Sequence, residues 1–428
     1  MNQASTLPTQ AEAELFKESP EQIRALQKKF NKASRRQKWK ALALVLPLSL
    51  FLFLMFIVPI ASFLGKSVQN DEIIGVLPQT LQSLEQWQEG RPIPDASYIV
   101  LAQELLTAKE NQSAGELMRR LNYEEPGYRS LISKTLRRLP LTVDMQDGAA
   151  VREALIKLDA RWGEQGYWRI LQRNASYYSQ YYLLTAMDLA QNDNNQIVQA
   201  PAEQAVFIDI YLRTFVIALV VTLCTLLLAY PLAYLLATLP TRSSNLLMIF
   251  VLLPFWTSLL VRTAAWIVLL QNGGLINGFL MWTGIIEQPL TLVFNRIGVY
   301  ISMVHIMLPF MVLPIYSVMK GISPTYVRAA ISMGCHPLIS FWKVYFPQTV
   351  AGVSAGCLLV FISSIGYYIT PALLGGPKDQ MISYFIAFYT NISINWGLAA
   401  ALGLFLMIAT MVLYGVYNRL VGTAKMGL

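Results

Sequence analysis

Six long apolar runs constrain the fold of this chain more than any other feature of its sequence. Each has the length that a helix needs to cross about 30 Å of hydrocarbon, roughly 20 residues. The runs lie at 41–64, 211–237, 246–271, 297–319, 349–372 and 395–418. The first contains no charged residue and follows forty polar residues, so we expect a retained span and not a cleaved signal peptide. The sequence therefore predicts an all-α membrane protein with six transmembrane helices.

The composition supports this fold class and bears on which partners the net charge requires. Of the 428 residues, 55% are hydrophobic and 14% are charged, which is too apolar for an ordinary soluble protein. The net charge of +8 does not call for a nucleic-acid partner, because basic cytoplasmic loops give a membrane protein the same excess. The three cysteines, Cys224, Cys335 and Cys357, have no metal-ligand spacing, and we expect no disulfide.

The chain divides at the apolar runs into parts of different character. A basic tail (1–40) precedes the first span (41–64), and a soluble insert (65–205) with 14 basic and 18 acidic residues follows that span. Its apolar residues recur mostly at helical intervals, so we expect the insert to be all-α. A core of five spans (206–420) and a short tail (421–428) complete the chain.

The distribution of lysine and arginine predicts the orientation in the membrane. With the N-terminus inside, the cytoplasmic segments hold 15 basic residues, and the short outer loops hold only Arg296 and Lys378. Cytoplasmic loops carry such an excess, whereas long inserts cross the membrane largely regardless of charge. We therefore expect both termini in the cytoplasm and the insert outside, in the periplasm of a bacterium.

One cytoplasmic loop, residues 320–348, has the signals of two short helices. Ser323 before Pro324 is typical of a helix start, and Gly334 can end that helix because glycine accepts a left-handed backbone. Pro337 can open a second helix. We expect a bent helix pair at the membrane surface that another protein can grip.

This loop resembles the coupling loop, or EAA loop, of ABC importer permeases. The resemblance rests on Ala329-Ala330, on Gly334 four residues later and on Pro347. Arg328 departs from the family pattern, since it stands where the family usually has an acidic residue. The resemblance implies an ATPase-coupling site formed by Tyr326, Arg328, Ala329, Ala330, Met333, Gly334 and Pro347.

Further segments resemble permeases of the spermidine/putrescine type. They lie at 253–258, 261–263, 274–277, 308–310 and 365–376, so that the resemblance covers about residues 206–420. It implies the MetI-like fold of type I ABC importers and a path for a small polar substrate. The predicted path residues are Trp256, Thr257, Ser258, Arg262, Trp266, Tyr367 and Tyr368.

The charged residues of the predicted core do not decide between two classes of substrate. No Asp or Glu sits centrally in any span, whereas Arg262 lies inside one. Arg262 either faces the path or bonds to carbonyl groups and reaches the outer interface. Tryptophan rings such as those of Trp256 and Trp266 can hold a cation, as a polyamine requires. A substrate with a carboxylate, such as an amino acid or opine, also fits the absence of acids.

The resemblance also implies an assembly around this chain. The sequence has no P-loop, so we expect a non-catalytic subunit without cofactor or metal, with ATP and magnesium bound by a partner. The expected partners are two copies of an ABC ATPase, a second and different permease chain, a periplasmic substrate-binding protein and the lipid of the bacterial inner membrane.

Two other classes of protein remain as alternatives. An ion-coupled secondary transporter would show internal repeats and ionisable groups near the membrane midplane. A membrane receptor with an external sensing domain would need a cytoplasmic signalling domain, and only ten residues follow the last predicted span.

Overall fold

A computed structural model describes residues 38–88, 90–192 and 196–425, with side chains up to Arg419. The predicted N-terminal tail lies outside the described residues up to position 37, and residues 426–428 of the predicted C-terminal tail do so as well. The first span is helix α1 (Lys38–Gly65), which contains a π-helical segment at Phe53–Ile57. Its apolar sequence reaches a mean hydropathy of 2.8, as a membrane span requires.

The insert is a folded domain dominated by short helices. They are α2 (Asp71–Ile74), α3 (Pro78–Ser83), α4 (Asp95–Glu110), α5 (Ala114–Glu124), α6 (Tyr128–Arg138), α7 (Gly148–Leu158), α8 (Gln165–Arg173) and α9 (Tyr181–Thr185), with a 3₁₀ turn at Ala160–Gly163 between α7 and α8. Their apolar faces meet in one core in which Trp162 and Trp168 are fully buried.

The aromatic residues of this core satisfy their polar atoms internally. The Trp162 indole N–H donates to Thr135 Oγ1 at 2.9 Å. The Trp168 N–H and the Tyr98 hydroxyl both donate to the Trp162 carbonyl, at 2.8 and 3.0 Å. Because a buried polar group without a partner is costly, these bonds let large aromatics fill a small core.

The prediction of an all-α insert is wrong in one place. Strands β1 (Leu189–Gln191) and β2 (Ile197–Gln199) form an antiparallel hairpin with Leu189 opposite Gln199. The helix preceding it, α9, stops at Thr185. Asp188 takes a positive φ of 56°, which a helix does not allow, and the β-branched pair Ile197-Val198 favours a strand.

The membrane core follows the hairpin. Its helices are α10 (Phe207–Thr238), α11 (Thr241–Leu252), α12 (Leu259–Leu270), α13 (Leu275–Trp282), α14 (Arg296–Gly321), α15 (Thr325–Ser332), α16 (Pro337–Ser340), α17 (Phe346–Ile365), α18 (Ile369–Leu374), α19 (Ile382–Asn391) and α20 (Trp396–Lys425). Among the described residues, six stretches are long and apolar enough to cross a membrane, which confirms the predicted fold class. Helix α20 runs beyond the predicted end at 418, to Lys425.

The third predicted span, 246–271, has the wrong limits. Helix α11 ends at Leu252, a 3₁₀ turn follows at Leu253–Trp256, and the candidate membrane span is Leu259–Trp282. Pro254 explains the break, because proline has no N–H to donate and disrupts a helix interior.

The second helix of the 320–348 loop is not a separate element. Helix α16 continues through a π-helical turn at Phe341–Tyr345 into α17, so that Pro347 lies inside a helical run and does not mark a re-entry. The Phe346 N–H bonds to the Phe341 carbonyl across this wider turn. Because the π-helical turn shifts the hydrogen-bond register, the helical run can accommodate Pro347, which has no N–H to donate.

The centre of the membrane core is the packing of α10, α14 and α17. Gly352 and Gly356 of α17 are buried against α14. A Cβ at Gly352 would lie 2.9 Å from the Pro314 carbonyl oxygen, and one at Gly356 would lie 2.8 Å from Met311 Sδ. Small residues here therefore set how closely two helix backbones approach.

Two contacts tie the insert to the N-terminal ends of core helices α10 and α20. The Asp188 carboxylate accepts hydrogen bonds from the N–H groups of Phe207 and Ile208, both at 2.8 Å, and so caps α10. The ring of Tyr182 lies on Gly397 of α20, where a Cβ would come within 2.1 Å of the ring. The insert is thus held against the start of two membrane helices.

A buried arginine lies just behind this joint. The side chain of Arg120 is 1% exposed, and it bonds to Glu124 at 2.9 Å and to Asn174 at 3.1 Å. Its guanidinium also lies over the rings of Tyr181 and Tyr182, 4.1 and 4.9 Å from their centroids. Burial opposes the charged form, but Tyr182, Glu124 and the other neighbouring groups outweigh it and raise the pKa of Arg120 above its ordinary value.

Replacement of Arg120 tests how much this cluster stabilises the insert. We expect Arg120→Ala to lower the free energy of unfolding by about 2–4 kcal/mol, because it leaves a cavity and removes one of the two arginines that pair with the buried Glu124 carboxylate, the other being Arg173. Arg119→Ala, the adjacent and more exposed arginine of α5, is the control and should change it by less than about 0.5 kcal/mol. Thermal unfolding of the full chain in detergent measures both; equal melting temperatures for the two variants would contradict the account.

Candidate functional site

The predicted helix pair forms an elbow, defined here as residues 325–340. Helix α15 ends in a glycine cap: the Gly334 N–H donates to the Ile331 carbonyl at 2.9 Å, and the Cys335 N–H donates to the Ala330 carbonyl at 3.1 Å. Gly334 has φ +90°, the left-handed backbone that favours glycine. The predicted role of Gly334 as the end of the first helix is confirmed.

The second helix of the elbow has its own cap and a link to the first. Pro337 opens α16 as predicted, and His336 Nδ1 accepts from the Leu338 N–H at 3.3 Å. The Ser340 hydroxyl donates to the Val327 carbonyl at 3.4 Å. Because both helices are capped and joined, the elbow has a defined shape without a partner.

The elbow presents an unusual amount of apolar surface. Met333 is 82% exposed and Tyr326 is 56% exposed. Further large apolar side chains are exposed beside them, at Ile331, Leu338, Ile339 and Trp342. Such a patch marks an interaction surface.

The other predicted coupling residues occupy both sides of the elbow. Arg328, Ala329 and Gly334 are exposed, whereas Ala330 is buried, 8% exposed. Pro347 is exposed but lies beyond the elbow, in the first turn of α17. Five of the predicted residues are therefore exposed on the elbow: Tyr326, Arg328, Ala329, Met333 and Gly334.

Aromatic side chains join the elbow to the membrane core. Phe341 packs edge-on against Tyr230 and Tyr234 of α10, with ring centroids 6.4 and 5.7 Å apart, and stacks on Tyr345 at 5.6 Å. Tyr345 is buried, 9% exposed. The residues directly after the elbow are therefore in contact with α10.

A second group of predicted residues lies where the third span is broken. Trp256 ends the 3₁₀ turn and is 72% exposed, and Thr257 and Ser258 have extended backbone. The Thr257 hydroxyl donates to the Pro254 carbonyl at 2.9 Å, which satisfies one group that the break releases. Irregular backbone at membrane depth occurs where it is covered by protein or lines a water-filled path.

Four side chains form a core polar cluster: Arg262, Trp266, His305 and Tyr367. Arg262 and Trp266 lie one turn apart on α12, and the Trp266 indole N–H donates to His305 Nδ1 of α14 at 3.2 Å. Arg262 is close enough to interact electrostatically with His305 and Tyr367. Its Nε is buried and has no hydrogen-bond partner among the residues that the structure describes.

The predicted path residues are thus only partly brought together. Arg262, Trp266 and Tyr367 meet in the cluster. Tyr368 is 41% exposed at the start of α18. His305 is the member that the sequence analysis does not single out, because its partner Trp266 lies 39 residues away along the chain. An ionisable residue within an apolar span is itself a signal of a functional position.

The cluster contains no acidic residue. From position 206 onward the sequence has only Asp209, Glu287 and Asp379. Asp209 lies in the first turn of α10, and Asp379 pairs with Arg296 at 2.9 Å. Among the described residues, no group of His, Cys, Asp or Glu could hold a metal ion. The cluster can offer aromatic faces, hydrogen-bond donors and one guanidinium.

The broken span, the polar cluster in the core and the exposed elbow define a transport permease. The family described as binding-protein-dependent transport system inner membrane component matches residues 227–423. The spermidine/putrescine transport system permease protein PotB of Escherichia coli K12 is 35% identical over 214 residues, 50% of this chain and 78% of that protein. PotB of Haemophilus influenzae is 34% identical over 200 residues, 47% of this chain and 70% of that protein. The chain belongs to this family of multi-pass inner-membrane permeases of ABC importers.

Other relatives are more distant. The inner membrane ABC transporter permease protein YdcU of Escherichia coli K12 is 31% identical over 183 residues, 40% of this chain and 58% of that protein. A crystal structure of a bacterial alginate ABC transporter superposes with a TM-score of 0.42 at 17% identity, covering 50% of this chain and 77% of the other.

Two neighbouring aromatic residues, Phe341 and Trp342, test whether packed ring contacts anchor the elbow to α10. We expect Phe341→Ala to destabilise the elbow by about 2 kcal/mol, because it removes the contacts with Tyr230 and Tyr234. Trp342→Ala also removes ring contacts, with Phe341 and Phe346, but its side chain is 60% exposed, so it should destabilise the elbow by less than about 1 kcal/mol. Limited proteolysis within residues 320–348 measures the difference, and equal cleavage rates in the two variants would contradict this anchoring.

Proposed function

We propose that this chain forms the path by which a small amine of the polyamine type enters the cell, and that a separate ATPase subunit drives it through the elbow. The observation that carries the proposal is the exposed apolar surface around Tyr326 and Met333 on a capped, shaped helix pair. ATP and magnesium bind to the ATPase, and this chain contributes no catalytic group.

The helices behind the elbow suit the transmission of motion. The helical run from Pro337 to Ile365 continues from the elbow into the membrane. At 1.5 Å per residue, its 29 residues extend over roughly 43 Å. Because α17 packs against α14 and α10, a movement of the elbow shifts the core as a unit. This coupling would alternate the access of the core polar cluster between the two sides.

The number of elbows determines the proposed assembly. Each chain carries one elbow, so a transporter with two ATPase copies needs a second permease chain, which we propose to be a different protein. The elbow and both termini face the cytoplasm, since the basic residues concentrate on that side. The insert faces the periplasm, where a substrate-binding protein delivers the substrate.

Sequence similarity to the PotB proteins supports a polyamine as the substrate, because those proteins are named for spermidine and putrescine transport. The aromatic rings of Trp266 and Tyr367 can bind a cation. A second candidate is a substrate that carries a carboxylate as well as an amine. The observation that favours it is the unpartnered Arg262 Nε in a cluster without acidic residues.

The turn at Gly334 tests the coupling to the ATPase. We expect Gly334→Pro to lose the co-purifying ATPase, because proline cannot adopt φ +90° and removes the N–H bond to Ile331. Gly334→Ala should weaken the association less, since a left-handed alanine costs about 1–2 kcal/mol. Gly321→Ala is the control, as its backbone is ordinary and its Cβ meets open space. An ATPase that remains bound to a folded Gly334→Pro chain would contradict the proposal.

Arg262 separates the two substrate classes. If a polyamine is carried, Arg262→Gln removes a repelling charge, so the KM for putrescine should stay unchanged or fall a few-fold. If a carboxylate is bound, the same variant should raise the KM of the amino acid at least about tenfold, and Arg262→Lys should restore part of the uptake. Uptake of labelled putrescine and labelled amino acids in competition decides between them; no uptake of either by wild type would contradict both.

A further inference from the structure

A groove on the insert lies between α6 and α7 and has a volume of about 900 Å³. Its floor is apolar and includes Leu141, Val143 and Leu158, which pack against the core of the insert. Its rim is basic and includes Arg137, Arg138 and Lys157. The groove therefore combines an apolar base with positive charge.

The positive charge is segregated from the rest of the insert. Residues 65–205 carry more acidic than basic side chains, 18 against 14. Helix α6 nevertheless carries four basic residues and no acidic one. Glu153 is the only acidic side chain among the residues that line the groove. A net positive face on a net negative domain can select an oppositely charged surface.

These cations lack the partners that other cations of the insert have. Five other basic side chains of the insert form ion pairs with carboxylates: Lys66–Asp71, Arg120–Glu124, Arg152–Asp95, Arg161–Asp159 and Arg173–Glu124. Within the described residues, Lys134 on the rim pairs with Asp159 at 3.2 Å, whereas Arg137, Arg138 and Lys157 form no ion pair. Three positive charges thus remain available to a partner.

The dipoles of α6 and α7 explain only part of the clustering of cations around the groove. Arg137 and Arg138 lie in the last turn of α6, and Lys157 lies in the last turn of α7, where the helix dipole favours cations. The dipole does not require that two helices end beside the same apolar concavity. The combination of charge and apolar floor matches an amphipathic acidic surface.

We propose that this groove docks an acidic, partly apolar surface segment of the substrate-binding protein. The inference rests on the proposed function, which places the insert in the periplasm beside that soluble partner. Apolar side chains of the segment would occupy the floor, and its carboxylates would pair with the rim. Charge complementarity of this kind raises the association rate and weakens with salt.

The test uses the complete transporter in nanodiscs and the purified substrate-binding protein of the same system. We expect Arg137→Glu/Arg138→Glu to weaken binding about tenfold at 50 mM salt, and much less at 500 mM, where surface charges are screened. Arg137→Lys/Arg138→Lys, which keeps the charge, should bind within about twofold of wild type. Retention of the thermal stability shows that the charge-reversed domain is folded.

Arg91→Glu supplies the matched control, because Arg91 is exposed on the insert and does not line the groove. Its effect on binding should be less than twofold. Equal weakening by Arg91→Glu would overturn the proposal, since attraction would then depend on net charge alone. Unchanged binding by the groove variant would also overturn it.

Binding of the groove to membrane lipid is the remaining possible outcome of this test. If the groove variant lowers attachment to phosphatidylglycerol vesicles and leaves the binding protein unaffected, the groove is a lipid site and the proposal is overturned. Co-purification of the ATPase, which depends on the elbow, is measured on the same samples. Unchanged docking by the groove variant, with the ATPase still bound, therefore refutes the groove alone, whereas absence of the ATPase from the wild-type transporter refutes the proposed function.

Discussion

The requirement that backbone N–H and C=O groups be hydrogen-bonded away from water governs this structure. In hydrocarbon an unpaired group costs several kcal/mol, so the chain crosses as helices. The exceptions lie at 253–258 and 271–274, at the two ends of α12. There Thr257 bonds to Pro254, and the fully buried Asn277 bonds to the carbonyls of Gln271 and Leu290 and accepts from the Leu290 N–H. Side chains thus replace the helical bonds beside the polar cluster.

Helix α10 contacts the insert at its start and the residues behind the elbow near its other end. At its start, the Asp188 carboxylate of the insert caps Phe207 and Ile208. Near its other end, Tyr230 and Tyr234 contact Phe341 behind the elbow. Its 32 residues span roughly 48 Å. One helix therefore contacts the insert, the central packing and the aromatic residues behind the elbow, which gives a physical route between them.

The sequence predicted the regular parts of this architecture well. The six spans follow from hydropathy, and the turn at Gly334 follows from the conformational freedom of glycine. The hairpin at 189–199 and the continuity of α16 with α17 were missed, because a positive φ at Asp188 and a π-helical turn before Pro347 leave no periodic pattern. The break in the third span was missed because apolar residues continue on both sides of Pro254 and keep the hydropathy high across it.

The functional residues likewise fall into those that the local sequence predicts and those that only the folded structure reveals. The elbow was predicted from local residues, since its caps depend on neighbours in the sequence. The core polar cluster joins α12, α14 and the segment after α17, and only tertiary packing shows that Trp266 meets His305. The role of the groove charges likewise depends on which carboxylates lie near, because Lys134 is paired and Arg137 is not.

The most direct test of the account is the side of the membrane on which the elbow lies. Met333, 82% exposed at the tip, can be replaced by cysteine in a chain whose three native cysteines are serine. A membrane-impermeant maleimide should label this cysteine in inside-out vesicles and not in intact cells, and bound ATPase should protect it. Labelling from outside in intact cells would contradict the central claim, because no cytoplasmic ATPase could then reach the elbow.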